Sequence, residues 1–337
     1  MLLQTRSYPR AGFLGNPSDG YYGKTIAFAF SDFCVDVVLY ESPEIEFLPG
    51  DVDDNVFESL DHLTDTVQHY GYYGGVRLVK AVSKVFAEYC RAQAIDLPRR
   101  NFTVRYRSTV PRLVGLGGSS AICTAMFKAL VQFYNVAERI PRQIIPTLCW
   151  QAEKEELGIH CGMQDRVIQM YDGVVFMDFD REHFEQNSFG KYEYIDARRL
   201  PRLYLAYDPD RAEFSGIYHR KLADVAVREQ ERVAAAMREF ADIAQQGFDA
   251  LMQGQLAKIP ALVNANFDLR NRVFKVSEAN ARMVYEARQT GASAKFAGSG
   301  GAIVGTYEDE AMYKALVDRL RTIGCATIRP VIAPAAY

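Results

Sequence analysis

The feature that most constrains this chain is the run Pro111-Arg112-Leu113-Val114-Gly115-Leu116-Gly117-Gly118-Ser119-Ser120-Ala121, which leads straight into a segment of helical apolar spacing. Its glycines permit a tight loop and close backbone approach, and a helix that starts at its end exposes N–H groups with no partner of their own. Together these make a cradle for phosphate oxygens. Ser119 and Ser120 stand where a serine caps a helix, and one of them is also placed to ligate a magnesium ion carried by a nucleotide. An ordinary glycine turn with a serine cap is the plainer reading. No lysine follows the glycines, so this is not the P-loop of nucleotide triphosphatases, and it is no convincing dinucleotide fingerprint.

A loop of this kind needs a folded scaffold, and composition supplies one. The chain has 337 residues, 49% hydrophobic and 24% charged, the balance of a globular protein with one large or two ordinary domains. Disordered, collagen-like and coiled-coil chains are excluded. With 39 basic and 42 acidic residues the net charge is −3, and no basic run marks a nucleic-acid partner. Apolar stretches such as residues 26–30 fall far short of the roughly 20 residues that span a bilayer. The first residues, Met1-Leu2-Leu3-Gln4-Thr5-Arg6, lack the apolar core of a signal peptide. A cytoplasmic location without membrane or nucleic-acid partners is expected. The six cysteines are scattered with no C-x-x-C pair and read as reduced, buried thiols. His160-Cys161 has nothing nearby to complete a transition-metal site.

Strands are expected at residues 25–30, 35–40, 102–106 and 173–178, and helices at 74–89, 120–134 and 141–157. Polar residues 180–187 mark a change of composition, and the division between an N-terminal domain, 1–190, and a C-terminal domain, 191–337, is placed there. The second half reads as strand 203–207, long helix 222–252, shorter helices, a strand, a glycine turn, strand 302–307, helix 308–323 and strand 326–332. Strands and helices mixed in this way argue for α+β architecture in both halves.

Two further glycine-centred segments accompany the first. Lys295-Phe296-Ala297-Gly298-Ser299-Gly300-Gly301-Ala302 lies ahead of an apolar strand, and Pro9-Arg10-Ala11-Gly12-Phe13-Leu14-Gly15-Asn16-Pro17-Ser18-Asp19-Gly20-Tyr21 opens the chain. Each alone is compatible with a turn between strands. In this order and spacing, the three resemble the motifs of the GHMP kinase superfamily, which includes galactokinase, homoserine kinase, mevalonate kinase and phosphomevalonate kinase. Within it the chain is most similar to the glucuronokinases, through residues 14–21, Tyr72-Tyr73-Gly74-Gly75-Val76-Arg77-Leu78, Gly162-Met163-Gln164-Asp165-Arg166-Val167, Asn266-Phe267-Asp268-Leu269-Arg270 and residues 295–302. The central loop, G-L-G-G-S-S-A, is one residue longer than the superfamily's G-L-G-S-S-A, which leaves open which serine faces the metal.

The resemblance implies a two-domain GHMP kinase fold, ribosomal protein S5 domain 2-like at the N-terminus and ferredoxin-like at the C-terminus, with ATP and sugar meeting in a cleft. It implies that Gly115, Leu116, Gly117, Gly118, Ser119, Ser120 and Ala121 wrap the nucleotide phosphates. It implies a magnesium-binding glutamate 12 residues before a catalytic aspartate, here Glu153 and Asp165, with Ser120 or Ser119 completing the metal site. Without it, Glu153 reads as a solvated charge, as its neighbours Glu155 and Glu156 do, and Asp165 as a loop residue or helix cap. Asp165 would accept the proton of the attacking hydroxyl. Arg10, five residues before Gly15, would keep that carboxylate ionised and neutralise the transferred phosphoryl. Asn16, Ser18 and Asp19 would orient the sugar, and Gly298 and Gly300 would close the cleft. If the acceptor is a uronate, a cation must meet its carboxylate, and Arg112 and Arg166 are the candidates.

The activity so implied is transfer of phosphoryl from ATP to the anomeric hydroxyl of D-glucuronate, giving 1-phospho-glucuronate, with magnesium. Two rivals are a GHMP kinase for another sugar or sugar acid, and a non-catalytic sugar or ATP sensor on the same fold. Arg10, Glu153 and Asp165 together argue against the sensor, since binding alone does not require all three.

Overall fold

The computed structural model describes residues 1–50, 59, 74–209, 230–274 and 276–336. Tyr72 and Tyr73, the start of one resemblance stretch, and residues 222–229 of the expected long helix lie outside the described residues.

The N-terminal half holds two four-stranded sheets. β1 (Leu2–Ser7), β4 (Val35–Ser42), β6 (Asn101–Ser108) and β5 (Glu46–Phe47) form one, in the order β1-β4-β6-β5. β2 (Arg10–Leu14), β3 (Lys24–Ala29), β7 (Val174–Asp178) and β8 (Lys191–Tyr194) form the other, in that order. β1 and β2 are consecutive, so the chain passes from one sheet to the other at Tyr8-Pro9. Every residue of β2, Arg10 included, is buried, so the strand carries a charged side chain into the interior.

Of the helices α1 (Gly75–Ala92), α2 (Gly118–Phe133), α3 (Ile145–Gln151) and α4 (Gln164–Tyr171), α2 and α4 pack directly on these sheets, while α1 and α3 pack chiefly on the other helices. α1 buries Leu78, Val79, Val82, Val85 and Phe86, one stripe at helical spacing. α2 is buried along nearly its whole length because it lies between β1 and β4 on one side and α1, α3 and α4 on the other. The expected helix 141–157 is realised in three pieces: a 3-10 turn Arg142–Ile144, α3, and a π-helical turn Ala152–Glu156. The π turn shifts the register, leaving Glu153 fully buried while Lys154 and Glu155 stay exposed. The polar stretch after β7 is itself helical, α5 (Arg181–Asn187), because the Asp180 carboxylate caps it by accepting from His183 N at 3.0 Å.

In the second half, β9 (Leu203–Tyr207), β10 (Lys295–Phe296), β11 (Ala302–Thr306) and β12 (Ala326–Ile328) form an antiparallel sheet in the order β10-β11-β9-β12. With helices between β9 and β10 and between β11 and β12, this is the split βαβ arrangement of ferredoxin-like folds. The helices are α6 (Gln230–Met252), α7 (Ile259–Phe274), α8 (Glu278–Arg288) and α9 (Glu310–Arg321). β12 stops short of the expected 332, since Pro330 has no N–H for a ladder; a lone bridge joins Ile332 to Phe30.

α6 packs on β3 and α7 on β2, β10 and β11, so apolar side chains of both halves share one core. Because β8 extends the β2 sheet to Tyr194, we propose the division between the halves at residues 195–202, a few residues past 190. Among the described residues no helix is long and apolar enough to cross a membrane. None of the six cysteines is in a disulfide, and burial pushes the Cys149 and Cys161 thiols up to about 12.

Candidate active site

β2 passes between the two later glycine segments and is hydrogen-bonded to both. Arg10 N donates to Leu116 O at 3.1 Å, and Gly12 N donates to Ala297 O at 2.7 Å. The glycine segments also meet each other. A Cβ on Gly298 would stand 2.1 Å from Gly115 O, and one on Gly115, whose φ is +73°, would stand 2.5 Å from Gly300 O. Any side chain at this seam forces the backbones apart. Gly117 ends the loop in a left-handed conformation, φ +77°, and starts α2 with no side-chain cap hydrogen bond. The helix N-terminus is thereby left facing the space that the loop encloses.

That space is the larger of two neighbouring pockets, lined by Gly115, Leu116, Gly117, Gly118, Ser119, Arg112 and, at its inner end, Glu153 and Asp165. Ser120 and Ala121 are buried behind the loop. Ser120 Oγ donates back to Gly117 O at 3.0 Å, and Ala121 N donates to the same carbonyl at 3.0 Å. Gln169 Nε2, from α4, is a third donor to it at 2.7 Å.

Of the two serines that the sequence left open as companions of Glu153, Ser119 is the one whose hydroxyl meets it. Ser119 Oγ donates to Glu153 Oε1 at 2.8 Å. Both serines lie in the first turn of α2, Ser119 turned to Glu153 and Ser120 to the Gly117 carbonyl. Arg166 holds the other carboxylate oxygen: its Nε donates to Glu153 Oε2 at 2.8 Å, its Nη2 donates to the same atom, and its Nη1 donates to Gly162 O at 2.9 Å. Burial opposes the Arg166 charge, but Cys161, Glu153 and Asp165 outweigh it and raise its pKa well above the ordinary value. A hydroxyl and a carboxylate oxygen side by side at the edge of a phosphate-sized cradle fit magnesium, which binds hard oxygens and keeps most of its shell for phosphates and water.

Asp165 occupies the first turn of α4, and Arg10 grips it in a two-pronged ion pair. Nε donates to Oδ1 and Nη2 to Oδ2, each at 2.6 Å. The third guanidinium nitrogen, Nη1, donates to Gly115 O at 2.6 Å and Ala297 O at 3.3 Å. Arg10 therefore ties the carboxylate to both glycine segments at once.

On the far side of this pair lies a smaller, polar pocket, lined by Asn16, Asp19, Gln164, Asp165, Arg270 and Gly298. Arg10, Asp165 and Ser299 line both pockets. Asp19 Oδ2 accepts from Gln164 N at 3.0 Å, and burial, with the Asp165 charge adding to it, raises the Asp19 pKa against the pull of that N–H. Ser18 does not join the site: it is fully buried and its Oγ staples the turn by donating to Lys24 O at 2.9 Å. Gly300 backs onto Gly115 and does not line the smaller pocket. Neither arginine expected to read an acceptor carboxylate reaches that pocket either. Arg112 is exposed on the loop side, and Arg166 is spent on Glu153.

Four residues of the site lie in stretches that carry the resemblance but had no role assigned from the sequence. Arg270 lines the smaller pocket, its Nη1 donating to Gly298 O at 2.6 Å and its Nη2 to Ser299 O. Asn266, one turn earlier on α7, receives Gly15 N on its Oδ1 at 2.7 Å and donates from Nδ2 to Asn16 O at 3.1 Å. Gln164 and Lys295 complete the set. The signal for the first pair was an Asn and an Arg four residues apart, both buried on the face of α7 that meets β2.

A sequence family model for the GHMP kinases N terminal domain matches residues 77–173. Glucuronokinase 1 of Arabidopsis thaliana is 41% identical over 338 residues, covering 98% of this chain and 92% of the relative. The chain belongs to the GHMP kinase superfamily. It is a phosphotransferase, a sugar kinase of glucuronokinase-like sequence. The probable glucuronokinase 2 of the same plant is 42% identical, covering 90% of this chain and 84% of the relative. Among solved structures, Lactococcus lactis galactokinase complexed with galactose superposes with a TM-score of 0.77 at 12% identity, over 99% of this chain and 95% of that one. Streptococcus pneumoniae phosphomevalonate kinase, in complex with phosphomevalonate and AMPPNP, gives 0.74 at 14% identity, over 97% and 99%. At such identities the structural likeness shows the α+β GHMP kinase fold alone.

Proposed function

We propose that this kinase transfers the γ-phosphoryl group of ATP to the anomeric hydroxyl of D-glucuronate, giving 1-phospho-glucuronate and ADP. The observation that carries the reading is the position of Asp165, whose carboxylate lines both the loop pocket and the small polar pocket. A nucleotide in the first would point its terminal phosphate at a sugar in the second, with Asp165 between them. The choice of glucuronate rests on the glucuronokinase relatives that match nearly the full chain.

The loop N–H groups and the start of α2 hold the phosphates. Asp165 takes the proton as the C1 oxygen attacks phosphorus and the bond to ADP breaks. Arg10 keeps Asp165 oriented through its two-pronged grip, and its charge offsets that of the transferring phosphoryl. Ser119 and Glu153 would hold magnesium delivered with ATP, which supplies further neutralisation at the phosphate oxygens. Arg166 fixes the Glu153 carboxylate so that one oxygen is left for that role.

The test is an acceptor screen with purified protein, ATP and magnesium, offering glucuronate, galacturonate, glucose and galactose at equal concentration. Glucuronate is expected to be used best, with a clear margin over the neutral sugars. Equal use of glucose and glucuronate would contradict the assignment while leaving a sugar kinase.

A further inference from the structure

Behind the small pocket sits a buried cation that the phosphoryl-transfer chemistry does not use. Lys295, on β10, is 1% exposed, and its Nζ donates to Gly12 O and Asn16 Oδ1 at 2.6 Å each and to Phe296 O at 2.8 Å. Three acceptors answer the three N–H donors of an ammonium; a neutral amine has only two. Burial, followed by the Arg270 and Arg10 charges, pulls the Lys295 pKa well below its ordinary value. The hydrogen-bond cage opposes that pull and requires the charged form. All three acceptors are neutral, and among the described residues no carboxylate touches the ammonium. A buried charge held without a counter-ion is costly, and such charges concentrate where function needs them.

The consequence falls on Asn16. An ammonium accepts no hydrogen bond, so Asn16 must turn its Oδ1 toward Lys295 and its Nδ2 away. The Asn16 backbone carbonyl is taken by Asn266 Nδ2 at 3.1 Å. Asn16 lines the small pocket, and its Nδ2 is not among the buried unpaired polar atoms, so that N–H pair is left to the pocket. A cation on the oxygen of an amide also polarises it and strengthens its N–H as a donor.

We infer that Lys295 is a positioning residue for the acceptor: it locks the Asn16 side chain so that Nδ2 donates to an oxygen of the sugar. This rests on the reading of the small pocket as the acceptor site. Lys295 itself touches no substrate. It also joins the strand bearing Arg10 to the strand that enters the second glycine turn, through Gly12 O and Phe296 O.

The test compares Asn16→Ala, Lys295→Met and the double variant by steady-state kinetics, on whichever sugar the wild type uses best. Each single change is expected to raise the acceptor KM about tenfold or more while the ATP KM stays within about twofold. The double variant should match Asn16→Ala alone, because Lys295 acts through Asn16. Equal effects of Lys295→Met in the Asn16→Ala and wild-type backgrounds, or parallel changes in both KM values, would overturn the inference. Should Lys295→Met fail to fold, Asn16→Asp decides. Its carboxylate gives Lys295 an ion partner, so the melting temperature should hold or rise, yet the donor is gone and the acceptor KM should climb about tenfold or more. An unchanged acceptor KM in folded Asn16→Asp would overturn the inference. A wild type that prefers a neutral hexose would sink the glucuronate assignment and leave this test standing.

Discussion

The two pockets that share Asp165 are built from different materials. In the loop pocket the phosphate cradle is backbone, with glycines at positions 115, 117 and 118 and the uncapped start of α2 coming from consecutive residues, while side chains such as Arg77, Glu153 and His160 complete its walls. The small pocket is mostly side chain, with Asn16 and Asp19 from the first segment, Gln164 from α4 and Arg270 from α7. Backbone donors recognise phosphate in the same way whatever the acceptor, so one contiguous motif suffices for them. Choosing an acceptor takes polar side chains brought from distant elements and held by residues such as Lys295 and Asn266. The division predicts which changes damage chemistry, nucleotide, metal or acceptor.

The largest effect is expected where the pockets meet. Asp165→Asn keeps size and packing while removing the base, and turnover should fall about 10²- to 10⁴-fold with little change in ATP KM. Steady-state kinetics reads both numbers, and full turnover would return Asp165 to an ordinary helix-start residue. Next comes the seam between the glycine segments. Gly298→Ala sets a methyl group 2.1 Å from Gly115 O and 2.8 Å from Arg10 Nη1, an overpacking that costs about 1–3 kcal/mol. Thermal unfolding should show the loss together with weaker nucleotide and acceptor use. Gly118→Ala, whose nearest neighbour would be 3.7 Å away, should leave the melting temperature nearly unchanged. If both variants unfold alike, the seam is not what holds the pockets together.

A smaller effect separates the serines. Ser119→Ala should raise the magnesium concentration for half-maximal activity several-fold, and Ser120→Ala should move it less, because the Ser120 hydroxyl is spent on Gly117 O. The reverse order in a magnesium titration would put the ligand on Ser120. The smallest effect belongs to Asp19. Burial raises its folded-state pKa, so between its unfolded and folded values the native protein binds more protons than the unfolded chain. Stability then falls as pH rises through that window, and the penalty persists above it. Asp19→Asn removes the penalty, so its melting temperature should gain on the wild type as pH rises above the ordinary carboxylate range. A difference that stays constant with pH would show that Asp19 ionises freely.

The same contrast explains what could be read from the sequence. Strand 203–207, the helix stripe of α1 and the glycine loop followed from local patterns, and the resemblance located Arg10, Glu153 and Asp165. The structure brings these three to one end of the loop pocket. Missing were features set by tertiary geometry. The π turn that buries Glu153 has no local signature, and neither does the turn of α2 that sets Ser119 rather than Ser120 against Glu153. Arg166 looked like a cation free for substrate, yet its partner is 13 residues away on the π turn. Lys295 read as the lead-in to a glycine turn, since nothing local says that its ammonium ends under Asn16.

The most direct measurement is phosphorus NMR of the product formed from glucuronate, ATP and magnesium. The phosphorus of the product is expected to couple to the anomeric proton, as a 1-phosphate requires. Coupling to any other sugar proton, or no product from glucuronate where galactose is phosphorylated, would contradict the proposed reaction.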